Sequence, residues 1–119
     1  LICTHPPYAD IIRYSKEIPG DSSHLKYEEF LKELEQVAKE SYRVLKKQGI
    51  CTFMIGDIRK KGYVLPLGMN SMQKFVDAGF KLKEIIIKEQ HNCKTTEYWD
   101  NIEKTFLMLA HEYIFVLEK

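Results

Sequence analysis

The sequence of 119 residues lacks a strong excess of either charge. Its 18 lysines and arginines are offset by 17 aspartates and glutamates, so the formal net charge at pH 7 is +1. This balance excludes the nucleic-acid binders that hold their ligand by bulk positive charge, although it leaves a local basic patch open. No apolar run approaches the roughly 20 residues that span a bilayer, and no secretory leader pattern opens the chain. We therefore expect a soluble, cytoplasmic protein with no membrane partner.

The sequence is also poor in cysteine. Its three cysteines, Cys3, Cys51 and Cys93, are odd in number, which is not typical of a disulfide framework. Cys3 and Cys51 lie within apolar runs, as buried thiols of a reducing compartment do. The group His91, Asn92 and Cys93, combined with either of the other cysteines, fits no metal-ligand spacing. We expect no metal.

Hydrophobic residues, at 45% of the chain, are plentiful enough for the core of one small domain. Apolar side chains recur at spacings of three and four between residues 24 and 48, which predicts an amphipathic helix. A second helix is predicted to begin at Pro66 and to end at Gly79. Short apolar runs predict four strands, which lie at residues 1–3, Ile50–Ile55, 82–88 and 113–117.

Strands and helices that alternate in this order form an α/β sheet with right-handed crossovers. The last strand follows its predecessor without a long helix between them, so we expect it to return antiparallel. The apolar run Ile50–Ile55 predicts a strand that is buried on both faces. Residues 57–62 are interpreted as a polar loop. The pattern amounts to half of a doubly wound fold, and the chain begins at Leu1 as if inside a strand, so we expect a piece of a longer polypeptide.

In open α/β sheets, ligands bind beyond the carboxyl ends of the strands. The run Thr4-His5-Pro6-Pro7-Tyr8 leaves the first strand at that edge. Its two prolines remove two backbone donors and fix φ, so the carbonyls of residues 5 and 6 point in defined directions. A rigid set of acceptors beside an aromatic ring suits a planar group that carries N–H bonds.

This run resembles the (Asp/Asn/Ser)-Pro-Pro-(Tyr/Phe/Trp) motif of the DNA amino methyltransferases. These enzymes use S-adenosylmethionine to methylate N6 of adenine or N4 of cytosine. Further segments are similar to other motifs of the family, in the expected order: Leu45-Lys46-Lys47-Gln48-Gly49, Gly56-Asp57 with Arg59, Pro66-Leu67-Gly68, and residues 111–116. The resemblance covers nearly the whole chain. It implies the C-terminal, catalytic half of a Rossmann-like methyltransferase sheet, as a single partial domain over residues 1–119.

The resemblance also implies roles for the residues of the motif. The Pro6 carbonyl and an atom of His5 would hold the N–H groups of the target amine, so that its lone pair faces the methyl donor. Pro7 completes the motif, and Tyr8 would stack on a base that has left the duplex. Thr4 and His5 would contact the cofactor S-adenosylmethionine.

Two other groups of residues are candidate contacts, the first because of its place at the ligand edge of the sheet and the second because of the resemblance. Arg59, Lys60 and Lys61 follow the second strand, where a phosphate contact with DNA and a solvated loop are both open interpretations. His91, Asn92 and Trp99 would lie near the target base, although a plain connector fits them equally well. DNA is thus the expected partner, in a restriction–modification setting.

The chain departs from the family pattern in two places. His5 stands where the family has Asp, Asn or Ser, and this leaves adenine versus cytosine open. A neutral imidazole accepts a hydrogen bond whereas an imidazolium does not, so activity should fall at acid pH. In addition, the family's Phe-x-Gly-x-Gly cofactor loop and the acidic residue for the ribose are absent. We therefore expect the chain to be incomplete by itself and to need a missing N-terminal half or a second copy.

Two other functions stay open on the sequence. One is a methyltransferase that acts on RNA or on a glutamine side chain of a protein, since an amide is also planar. The other is a noncatalytic, truncated α/β domain whose exposed sheet edge mediates assembly.

Overall fold

The computed structural model describes residues 1–11, 13–16, 18–90 and 106–119. Within these ranges the chain forms two α-helices and six strands. In chain order they are β1 (Ile2–Thr4), α1 (Tyr27–Val44), β2 (Ile50–Ile55), β3 (Ile58–Lys60), β4 (Tyr63–Leu65), α2 (Leu67–Asp77), β5 (Lys81–Glu89) and β6 (His111–Glu118). Two single 3-10 turns, Ala9–Ile11 and Ser22–His24, lie between β1 and α1. Both predicted helices are present, and so is each of the four predicted strands.

Helix α1 follows the apolar spacing of the sequence. Phe30, Leu31, Leu34 and Ala38 are buried, and they recur every three or four residues along one face. The helix ends at Val44, four residues before the predicted position 48, because the next residue already has an extended backbone. Within the described residues, neither helix is long and apolar enough to cross a membrane.

Four strands form one mixed sheet in the order β1-β2-β6-β5. Strand β1 runs parallel to β2, while β6 runs antiparallel to both of its neighbours. The predicted antiparallel return of the last strand is therefore confirmed. The last strand in the chain also lies inside the sheet, between β2 and β5.

The core lies on one face of this sheet. Phe53 of β2 stacks on Phe75 of α2 with ring centroids 4.5 Å apart. The ring centroid of Phe115, in β6, lies 5.2 Å from that of Phe53. Along β2 the burial alternates, with residues 51, 53 and 55 buried and residues 50, 52 and 54 half-buried. The expectation that β2 is buried on both faces is therefore wrong, since the described core packs only against its helical side.

The cysteines differ in environment for the same reason. Cys51 faces the core, and burial raises the pKa of its thiol to about 11. Cys3 is exposed and pairs in register with Thr52, on the other face of the sheet. The expectation of a buried thiol holds for Cys51 and is wrong for Cys3.

Residues 57–62 are not the loop that the sequence predicts. Ile58–Lys60 and Tyr63–Leu65 pair antiparallel as strands β3 and β4. The turn between them is Lys61-Gly62, whose φ angles of 51° and 84° are both positive. Two positive φ angles define the tight turn whose twist matches that of a β-hairpin. We call residues 58–65 the basic hairpin.

Asp21 fixes the turn that precedes α1. Its carboxylate accepts hydrogen bonds from the Ser15 hydroxyl and, at 2.9 Å, from the backbone N–H of Ser23. These bonds lower the pKa of Asp21 from 3.8 to about 2. A carboxyl whose pKa is lower in the folded state stabilises the fold above its unfolded pKa, and this stabilisation is lost as the pH falls through the folded pKa.

We expect Asp21→Asn to lower the urea midpoint at neutral pH and to weaken its decline between about pH 4 and pH 2. The amide still offers an oxygen to Ser23, so the variant removes the charge and keeps the cap. Urea unfolding of both proteins at several pH values measures this difference. Identical pH dependence in the two proteins would contradict the assignment.

Candidate active site at the carboxyl edge of the sheet

The run Thr4-His5-Pro6-Pro7-Tyr8, which we call the diproline corner, leaves β1 at the carboxyl edge of the parallel pair β1–β2. The buried residue Ala9 follows the corner directly with a φ of 50°, in the left-handed region that alanine seldom adopts. Such strain is found preferentially at functional sites. The predicted place of the corner, outside the strand ends, agrees with the structure.

The corner borders a cavity of about 310 Å³. Thr4, His5, Pro6 and Pro7 line it on one side. The other lining residues come from α1, β2, α2 and the turn at 22–24, and they are mostly apolar: Phe30, Leu34, Val37, Phe53, Phe75, Glu33 and Ser22. An apolar cavity with a few convergent polar groups is the usual form of a small-ligand site. This side of the corner therefore borders a cavity with the volume and lining of a small-ligand site.

Tyr8 is fixed at the end of the corner. Its hydroxyl donates a hydrogen bond to Oε1 of Glu112 and lies 3.3 Å from Nε2 of His5. Burial, together with the neighbouring Glu112 carboxylate, raises the pKa of the Tyr8 phenol. The phenol is consequently protonated at neutral pH and acts as a donor.

Glu112 is a buried carboxylate, with 7% of its surface exposed. Burial opposes its ionisation, but hydrogen bonds from Lys88, Tyr8 and Gln90 outweigh that effect and lower its pKa. The carboxylate is therefore ionised at neutral pH. Glu112 lies within the motif-like segment 111–116, but nothing in the sequence assigns it or Lys88 to the site. The available signal was a glutamate that directly precedes the apolar run at 113–117.

Asp57 connects the end of β2 to α2. One carboxylate oxygen accepts from the backbone N–H of Gly68 at 2.8 Å, and the other accepts from the Tyr113 hydroxyl at 3.3 Å. An acceptor at the N-terminus of a helix satisfies a donor that the helix leaves free. This carboxylate thus has a structural position beside the candidate site.

The structure separates the three basic residues that the sequence groups together. The Arg59 guanidinium donates to the carbonyls of Gly62 at 2.7 Å and Leu107 at 2.8 Å, so it braces the basic hairpin. The Lys60 ammonium pairs with Asp10 at 3.0 Å. Lys61 lies exposed on the turn and has no ion pair among the described residues.

The expected base-contacting residues His91, Asn92 and Trp99 lie outside the described residues, so their role stays a prediction. Within the ranges that the structure describes, no group of three or more His, Cys, Asp or Glu side chains is arranged to hold a metal ion.

The mixed sheet with a diproline corner at its carboxyl edge has the architecture of a methyltransferase domain. A family model gives the narrower class: the model N6_N4_Mtase, described as DNA methylase, matches residues 1–119, and the chain belongs to this family. The resemblance stated from the motifs is thereby confirmed.

The chain is also similar in sequence to two curated methyltransferases. The chain is 29% identical over 122 residues to the Type II methyltransferase M.MjaVI of Methanocaldococcus jannaschii, a match that covers 100% of this chain and 61% of the relative. It is 27% identical over 119 residues to the orphan methyltransferase M.BamHII of Bacillus amyloliquefaciens, covering 100% of this chain and 38% of that protein. The chain thus spans less than two thirds of the length of these relatives.

Solved structures agree with the fold. TTHA0409 from Thermus thermophilus, named a DNA modification methylase and solved with S-adenosyl-L-methionine, is 26% identical with a TM-score of 0.68, and the match covers 99% of this chain and 46% of that one. The cytosine-N4-specific PvuII DNA methyltransferase, at 20% identity, has a TM-score of 0.73 over 99% of this chain and 42% of its own. The predicted fold class, half of a Rossmann-like methyltransferase sheet, is confirmed. The assignment of residues 1–119 to a single partial domain stays a prediction.

Proposed function

We propose that this protein methylates an exocyclic amino group in DNA, N6 of adenine or N4 of cytosine, with S-adenosyl-L-methionine as methyl donor. The observation that carries the proposal is the diproline corner at the carboxyl edge of the sheet, which opens on a cavity of about 310 Å³. Membership in the DNA methylase family supports it. A cytoplasmic location and a restriction–modification setting belong to the same proposal.

The corner acts by positioning. The lone pair of an exocyclic amine is delocalised into its ring, which makes the nitrogen a poor nucleophile. Acceptors at the Pro6 carbonyl and a ring nitrogen of His5 hold its N–H groups and favour tetrahedral geometry at the nitrogen. Tyr8 offers the flipped base an aromatic face on which to stack. S-adenosyl-L-methionine, when bound, supplies a methyl group on a sulfonium.

The chain provides only part of a cofactor site. Thr4 and His5 line the cavity and would contact the methyl donor. The six glycines lie at positions 20, 49, 56, 62, 68 and 79, too far apart in sequence for a glycine-rich loop. We therefore propose that the groups which hold the rest of the cofactor come from a further segment or from a second copy.

DNA contact is proposed for the basic hairpin, with Lys61 as the phosphate ligand and with Arg59 and Lys60 shaping the hairpin. We expect Lys61→Ala to weaken duplex binding and to reduce the slope of log K against log salt by about one. Fluorescence anisotropy with a labelled duplex over a salt series measures both quantities. Lys32→Ala, on the exposed face of α1, is the matched control, and an equal loss in the two variants would contradict the assignment.

The function is tested by transfer of a labelled methyl group from S-adenosyl-L-methionine to duplex DNA, with RNA and protein as competing substrates. We expect label in DNA, and mass spectrometry of the digested nucleosides identifies N6-methyladenine or N4-methylcytosine. Label in RNA or in protein glutamine instead would replace the DNA proposal. Absence of heat in a calorimetric titration with the cofactor would favour a noncatalytic domain.

A further inference from the structure

We propose that Glu112 is a positioning residue, which holds the Tyr8 ring of the diproline corner in place through a hydrogen bond and is itself kept in place by Lys88. The inference rests on the proposed function, because it assigns a purpose to Tyr8 in that reaction. Glu112 lies on the last strand, 104 residues from Tyr8, and nothing in the corner's own sequence points to it.

The end of β2 is shaped to let the two side chains meet. A Cβ added at Gly56 would lie 3.1 Å from Cε2 of Tyr8 and 3.5 Å from Cγ of Glu112. The first of these distances is tighter than ordinary carbon–carbon contact. Glycine at this position therefore lets the Tyr8 ring lie against the end of β2, within hydrogen-bond reach of Glu112.

Lys88 fixes the other side of the carboxylate. It stands directly opposite Glu112 in the pairing of β5 with β6, and its ammonium donates to Oε2. A buried carboxylate is costly unless both oxygens are paired, and here Tyr8 takes one and Lys88 the other. The Lys88 side chain is 46% exposed, so its charge stays in contact with water while it neutralises the buried group.

The arrangement ties the corner to β6 and to the end of β2. The Tyr8 ring is restrained at its hydroxyl by β6 and along its edge by the end of β2. A ring that is already immobile loses less conformational freedom when a base stacks on it. Glu112 would not touch the base, so its effect on methyl transfer is exerted through Tyr8.

A double-mutant cycle tests this dependence. We expect Glu112→Ala and Tyr8→Phe each to lower kcat/KM for DNA methylation roughly ten-fold, and the double variant to be little worse than either one. Glu112→Gln keeps an oxygen for the Tyr8 hydroxyl and should retain most of the activity. Additive losses, or a loss in Glu112→Gln as large as in Glu112→Ala, would overturn the proposal.

The control uses a second ion pair on the same two strands. Lys83 and Glu118 pair at 2.6 Å at the opposite end of β5 and β6, away from the corner. Glu118→Ala should leave kcat/KM unchanged. Urea midpoints of all variants separate lost folding from lost positioning, and Glu112→Gln serves as the folded variant if Glu112→Ala does not fold.

A readout that needs no activity separates this proposal from the proposed function. In protein that contains 3-fluorotyrosine, the fluorine resonance of residue 8 is identified by its absence in Tyr8→Phe. We expect Glu112→Ala to shift that resonance, whereas Glu118→Ala leaves it unchanged. An unmoved resonance would overturn the positioning role. A moved resonance in a protein that methylates nothing would keep the contact and refute the function of Tyr8 in transfer.

Discussion

A His5→Ala variant is expected to lose about 100-fold in kcat for methyl transfer, the usual consequence of deleting one positioned hydrogen-bonding group from an active site. His5 is exposed, so the substitution leaves the core untouched. The imidazole lines the cavity and lies within 3.3 Å of the Tyr8 hydroxyl, at the position proposed to hold the target amine. The loss of kcat therefore reports on the hydrogen-bond acceptor at residue 5 and not on the stability of the fold.

His5→Asn is the informative companion, since asparagine is one of the residues that the family motif carries at this position. It supplies an acceptor that does not titrate in the physiological range. We therefore expect His5→Asn to keep much of the activity that His5→Ala loses, because the amide oxygen accepts a hydrogen bond as the imidazole does. A loss of kcat in His5→Asn as large as the loss in His5→Ala would remove His5 from this role.

The largest loss of stability is expected for Phe53→Ala, at about 3–5 kcal/mol. Phe53 is 1% exposed and lies between Phe75 of α2 and Phe115 of β6, so its removal leaves a cavity where both layers of the fold meet. A loss of this size is a large part of the roughly 5–15 kcal/mol that holds a domain folded. Urea unfolding followed by circular dichroism gives the free energy.

Tyr63→Ala is the matched control for that substitution. Tyr63 is also aromatic and also lies in a strand, but it is 78% exposed. Its removal should change the free energy of unfolding by less than about 0.5 kcal/mol. Comparable losses in the two variants would show that Phe53 does not occupy the centre of the core.

The parts of the fold that the sequence predicts best are those in which hydrophobic spacing decides the structure. Strand β2 has the predicted bounds Ile50–Ile55, and α2 lies within the predicted limits of Pro66 and Gly79. The basic hairpin was missed because three-residue strands are too short for alternation to be visible. Its turn depends on a positive φ at Lys61, which the sequence does not reveal.

In the candidate site too, local features can be predicted from the sequence and long-range contacts cannot. The diproline corner is a local motif, and its place at the sheet edge follows from the strand before it. The contact between Tyr8 and Glu112 depends on which strands are neighbours and on the register between them. Both are properties of long-range strand pairing, which the sequence does not show. The same holds for Arg59 and Lys60, because their contacts with the Leu107 carbonyl and with Asp10 join residues that are far apart in the sequence.

The position of β6 between β2 and β5 has a consequence for biosynthesis. The ribosome synthesises β2 and β5, the two strands that flank β6, before β6 itself has emerged. In that interval β5 lacks β6, its one neighbour among the described strands, although it carries Leu82 and three consecutive isoleucines that remain partly exposed even after folding. The nascent chain then presents an unpaired apolar strand, the kind of segment that chaperones retain and that aggregates when they do not. A premature stop codon that removed residues 111–119 would therefore delete β6 and separate β5 from the pair β1–β2.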